Sequence, residues 1–243
     1  APEVARDAEA AVWFFWFDRR DPSKNIAARQ TFPLERIAGG HASPFQLRIG
    51  ENELTSQSAF GKVAHPPDPV EWDLIWLPPL ETYQHVPWSL RITGLVKSRI
   101  CSPNLNCGFA GSITVHGEKI RLVHASGHQS HLGGPGHADE WAWAHCSAFR
   151  EDPGAVLEVL TAKVTMLGQG LPDLTSIFLK TKGRVYRLNK VDDLHRPANV
   201  IAPTAWSVIT RAGAESVRID ISARSEDLVG VGLDAAGRRD DRQ

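Results

Sequence analysis

The sequence predicts an all-β protein, and three observations carry that prediction. Apolar residues mostly recur with period two, the alternating stretches are bounded by Gly, Pro, Asn and Asp, and long segments of helical period are scarce. Trp13-Phe-Phe-Trp16 reads as an opening strand. Phe45 to Ile49 alternates cleanly, turns at Gly50 to Asn52 and returns through Glu53 to Ser58, which is a hairpin. Prolines at 66, 67, 69, 78, 79 and 87 leave Ala64 to Trp88 as a connection in which only Val70 to Leu77 can hold a strand. Cys101-Ser-Pro-Asn-Leu-Asn-Cys107 reads as a loop.

Ser112 to His116, Gly117-Glu118 and Lys119 to His124 form a second hairpin, with a glycine where the turn asks for positive φ. Ala155 to Met166 has the length of a helix, but its Val156, Val159, Thr161, Val164 and Thr165 favour a strand. Thr175 to Thr181 with Arg184 to Leu188, and Ala205 to Arg211 with Ser216 to Ser222, make two more hairpins. The charged end from Gly232 is aperiodic and should fray. The expected organisation is a module over 1–105 that includes the Pro-rich connection, a second module over 106–232, and a tail over 233–243.

At 243 residues the chain can hide about 70% of its extended surface, so a core forms without staples. A net charge of −1 offers no footprint for nucleic acid or an anionic membrane. The longest apolar run, Ala10 to Phe17, is far short of a membrane span. Glu3, Asp7 and Glu9 precede that run where a secretory signal carries basic residues, so the cytoplasm is the expected location, or the periplasm if a signal upstream of Ala1 has been removed. Three cysteines cannot build a disulfide scaffold, and free thiols are expected, although Cys101 and Cys107 could close a small ring in an oxidising compartment.

Six of the ten histidines (His116, His124, His128, His131, His137 and His145) fall within 30 positions. The window runs on into Asp139-Glu-Trp-Ala-Trp-Ala-His-Cys-Ser-Ala-Phe149. In an extended chain Trp141, Trp143, His145, Ser147 and Phe149 line one side, and Ala142, Ala144, Cys146 and Ala148 the other. The aromatic face suits the wall of a ligand cavity, and equally a filled core in which His145 meets a backbone carbonyl. His124-x3-His128-x2-His131 has the residue type of a metal site. Glycines deny it a helix, however, and strand parity turns His131 away from the other two, so no metal is expected, and His116 and His137 read as loop residues in solvent. No phosphate-cradling loop, nucleophile elbow or dinucleotide fingerprint is present. Cofactor-free acid–base chemistry or plain binding remains.

The order Gly111-Ser-Ile-Thr-Val-His-Gly-Glu118, Ala125-Ser-Gly-His-Gln-Ser-His-Leu-Gly133 and Trp141-Ala-Trp-Ala-His-Cys-Ser-Ala-Phe149 resembles the lipocalin-like superfamily of carotenoid 1,2-hydratases (hydroxyneurosporene synthases) and tocopherol-cyclase-like proteins. The resemblance covers mainly residues 108 to 165. It implies two antiparallel β modules of lipocalin-like barrel or sandwich type, an apolar small-molecule substrate, no organic cofactor, and hydro-lyase or cyclase-type chemistry on an isoprenoid or polyene double bond. Protonating an alkene needs an acid held in a dry cavity, and the resulting cation needs π faces. His128, His131 and His145 are the candidate donors, with Asp139 or Glu140 as orienting carboxylate. Trp141, Trp143, Trp72 and Trp76 would supply the faces, Phe149 the wall, and Tyr83, His85 and Trp88 a lid. The alternatives are a non-catalytic carrier of an apolar ligand and a His-ligated metal enzyme.

Overall fold

In the computed structural model the alternating segments become antiparallel sheets, as the periodicity predicts. The structure describes residues 9–40, 45–77, 81–92, 96, 98–134, 138–166, 169–170 and 172–228. The expected tail and His137 lie outside them.

Strand β1 (Glu9–Trp16) pairs with β2 (Ile26–Pro33) as a separate ribbon. Then come β3 (Ile37–Gly39), β4 (Gln46–Ile49), β5 (Asn52–Thr55), β6 (Ser58–Val63), β7 (Val70–Trp76) and the two-residue β8 (Tyr83–Gln84). The short helix α1 (Trp88–Ile92) leads to two long strands, β9 (Arg99–Val115) and β10 (Glu118–Gly133). Together β3 to β10 form a curled half-barrel in the order β10-β9-β7-β6-β5-β4-β3, with β8 added against β9. The ribbon's Ile26 and Ala28 fill it, packing on Val63, Val70 and Val115.

The turn between β9 and β10 is His116-Gly117, with φ of +52° and +70°. Two residues that both take positive φ match the right-handed twist of the flanking strands. The stretch from Cys101 to Cys107 is not the expected loop but the first half of β9, and all three cysteines are free. Pro103 and the asparagines masked it, because a strand buried among neighbours needs little intrinsic propensity. The expected module boundary at 105/106 falls inside this strand.

The next layer is β11 (Glu140–Cys146), β12 (Val156–Lys163), β15 (Leu174–Thr181) and β16 (Arg184–Leu188), with a two-residue ribbon of β13 (Thr165–Met166) and β14 (Gln169–Gly170) between β12 and β15. Ala155 to Met166 is extended, as its β-branched residues argued. A second helical turn, α2 (Val191–Leu194), precedes a three-stranded sheet of β17 (Ala198–Ala202), β18 (Ala205–Ala212) and β19 (Glu215–Ser222).

Strand parity gives the β11–β16 sheet two different faces. Ala142, Ala144, Leu157, Val159 and Ile177 pack on Trp206, Val208 and Ile219 of the three-stranded sheet. Val156 and Phe178 turn the other way, onto Tyr83 of β8 and Leu105 of β9. The second face closes the seam with the half-barrel, and the polar cluster lies there.

Candidate functional site

Strand β12 opens Val156-Leu-Glu-Val-Leu160, and parity delivers Glu158 to the seam with 0% of its side chain exposed. An ionised carboxylate so placed costs several kcal/mol unless paired. One oxygen is fully committed. Oε1 accepts from Ser102 Oγ at 2.6 Å, His85 Nε2 at 2.8 Å and Trp143 Nε1 at 3.2 Å. In a neutral His85 ring, Nε2 then carries the proton and Nδ1 accepts from the Ser176 hydroxyl at 2.6 Å.

The other oxygen is open. His145 stands opposite Glu158 in the β11–β12 register, and its Nδ1 lies 3.9 Å from Oε2, too long for a hydrogen bond. His128 of β10 stacks on His145 with ring centroids 4.3 Å apart and on the Trp143 indole at 5.1 Å. Glu158 Oε2, both ring nitrogens of His145 and His128 Nε2 are buried without a hydrogen-bond partner, as are Tyr83 Oη, Gln84 Oε1 and Asn104 Oδ1. Such groups are uncommon, and each asks for an account such as an ordered water, a catalytic role or an ion. Trp143, 40% exposed, is the ring between this cluster and solvent.

Burial by itself pushes the Glu158 carboxyl up, but the nearby His145 imidazole and the hydrogen bonds from His85 and Ser102 outweigh it and hold the group well below the usual carboxylate range. His128 is pulled down to about 4, first by burial and then by the like charge of His145. Burial pushes the Tyr83 phenol up. The cluster is therefore one carboxylate with a free oxygen facing one imidazole, with a second imidazole behind it. It can pass a proton, or hold a cation.

The site takes in four of the residues singled out in the sequence, His128, His145, Trp143 and His85, the last buried on Glu158 rather than placed as a lid, with Tyr83 against its edge. Tyr83 is not a lid residue but 1% exposed, packed on Phe178 and edge-on to His85 at 4.9 Å. His131 is exposed: β10 advances by twos through Gly127, Gln129 and His131, so alternation turns it away from the side that His128 takes. Asp139 is exposed, and Glu140 pairs with Lys163 at 2.7 Å in solvent. Trp141 is 65% exposed at the near edge of the same sheet. Phe149 lies beyond the end of β11 at Cys146 and packs with Ala142 and Ala144 on the opposite face, where alternation had not placed it.

Trp76 is buried on Phe109, with its indole N–H on the Ser56 carbonyl at 2.9 Å, and Trp88 is exposed on α1. Trp72 stacks on Phe14 and lines a cleft of about 580 Å³ on the half-barrel. That cleft is edged by Glu51, Lys62, Glu71, Asp73 and Lys119 and holds none of the cluster residues, so it is a poor home for an apolar ligand. Sequence reasoning missed Glu158, Ser102 and Ser176. Glu158 did leave a signal, a lone carboxylate inside Val-Leu-Glu-Val-Leu; the serines left none. No protein-family model matches this chain, and no similar curated protein or solved structure is found.

Proposed function

We propose that the protein is an enzyme acting without an organic cofactor on an apolar, unsaturated small molecule, by proton transfer between His145 and Glu158. One observation carries the reading: a fully buried carboxylate keeps one oxygen unpaired, 3.9 Å from an imidazole that is itself unpaired. Packing alone has no use for such an arrangement, which costs stability. Perturbed groups of this kind gather at reactive sites.

The hydration drawn from the resemblance to carotenoid 1,2-hydratases balances on these groups. Protonated His145 gives its proton to one alkene carbon, the cation rests against the Trp143 π face, and water adds to the second carbon. Glu158 Oε2 accepts the proton that water sheds and returns it to His145, so the net change is one water added across one double bond. His85 and Ser102 hold the carboxylate. The exposed indole of Trp141 extends the apolar approach.

The test is incubation of the protein with an acyclic polyene and mass spectrometry for a product heavier by one water. Glu158→Gln and His145→Gln should each abolish product while polyene binding, followed by quenching of tryptophan fluorescence, persists. Binding with no turnover in the unaltered protein would make it a carrier and overturn the enzyme reading.

A further inference from the structure

We infer that His128, His145 and Glu158 form a binding site for one divalent transition-metal ion of the zinc class. Three side chains from three strands place ligand atoms within 4.8 Å of one another. Four of the buried unpaired atoms belong to these residues, namely His128 Nε2, both nitrogens of His145 and Glu158 Oε2. Glu158 is 0% exposed, so bulk solvent does not reach its free oxygen.

The surroundings fit a ligand better than a bystander. Carboxylates that bind metals are held by hydrogen bonds to their other oxygen, and Ser102, His85 and Trp143 do this for Oε1. Among the described residues the ion pairs found on Glu158 come from His85 and His145, and none comes from a lysine or arginine that would take a cation's place. Two imidazoles and one carboxylate suit zinc, iron(II) or cobalt(II) rather than calcium or magnesium, which prefer all-oxygen sets. Three protein ligands leave a position open for water or substrate.

Ligand atoms around one such ion lie about 3 to 3.5 Å apart. The stacked rings of His128 and His145 must therefore turn about their side-chain bonds by roughly 1 Å to close on it.

The inference uses the cluster of the proposed enzyme but not its chemistry. Lone pairs committed to an ion cannot carry a proton, so metal loading and metal-free hydration exclude one another. The full chain, stripped with a chelator and dialysed, is titrated with Zn²⁺ by calorimetry, and bound metal is counted by elemental analysis. One ion per chain is expected, with affinity lowered about 100-fold or more in His128→Ala and in Glu158→Gln and unchanged in the exposed control His195→Ala. Co²⁺ provides a reading that needs no variant. Ligand-field absorption in the visible, accompanied by quenching of tryptophan emission, should appear on loading.

Absence of stoichiometric binding, or binding equally tight in both variants, would overturn the site. If metal-free protein hydrates the polyene and binds no ion, the enzyme stands and the site falls. If one ion binds and neither form turns over, the site stands and the enzyme falls.

Discussion

Glu158 and His128 both make the stability of this protein depend on acid, and they act in different windows. The folded value of His128, about 4, is below the ordinary imidazole value of 6.5, so between those limits the unfolded chain takes up a proton that the folded one refuses. Stability should fall as pH drops from about 6.5 to 4. The Glu158 carboxyl is depressed, so its contribution is present above the unfolded value of about 4.3 and is lost only as pH falls below it. Urea unfolding in the presence of a chelator should show His128→Gln flattening the upper window and Glu158→Gln the lower one. An unchanged slope between pH 6.5 and 4 in His128→Gln would remove His128 from the account. Trp143→Phe keeps an aromatic ring beside His128 but deletes the indole N–H on Glu158 together with the five-membered ring that carries it. It should cost about 1 kcal/mol by denaturant unfolding.

At the scale of elements, the hairpins were the most legible part of the sequence. Thr181 and Arg184 face each other across Lys182-Gly183, with φ of +48° and +73°, because local turn chemistry is written in adjacent residues. Long strands were less legible. Three register shifts interrupt the β9–β10 pairing, one with its extra residue on β10 and two with it on β9, and each changes which residues lie opposite. Counting by twos turned His131 away from His128, as the structure has it, but it also set His124 beside His128, and His124 is exposed in the shift after Leu122. On β12 alternation holds through Leu157, Glu158 and Val159, which is why one glutamate ends up in the seam while its neighbours fill the opposite core.

Gly111 marks another dependence of an element on one residue. Its φ is +125°, and a Cβ there would sit 2.0 Å from the carbonyl oxygen of Asp73 on the paired strand β7. Gly111→Ala should destabilise by about 3 kcal/mol or more, as a lowered thermal midpoint. A midpoint within a degree or two of the parent would contradict the β7–β9 pairing.

For the molecule as a whole, the seam is where the half-barrel and the β11–β16 sheet become one structure. The β8 segment is tied to β16 and the residue after it by Arg187 on the Thr82 carbonyl at 2.9 Å and Asn189 on the Gln84 carbonyl at 2.6 Å. Between these ties His85 reaches Glu158, 73 residues away in the chain. Removing one partner of a buried hydrogen bond leaves the other unsatisfied and costs about 1 to 3 kcal/mol, more where a charged group is stranded. His85→Ala and Glu158→Ala should each approach that cost. The double variant should fall short of the sum by about 1 to 3 kcal/mol, and simple additivity would mean the pair does not couple. Ile177→Ala, in the apolar core on the other face, should cost about 2 to 5 kcal/mol and add independently of both.

From the sequence alone come the strand class, the hairpins and their turns, and the concentration of imidazole and indole groups between 116 and 149. These depend on period, turn residues and composition, all of which act over a few neighbouring positions. Which imidazoles meet a carboxylate was settled only by the folded chain. His85, Ser102, His128, His145 and Glu158 come from five separate segments, and their meeting depends on how bulged strands register and on which face of a central sheet is turned to which neighbour. Those are long-range packing choices, made by burying Leu157, Val159 and Ile177 on one side, and no local pattern encodes them.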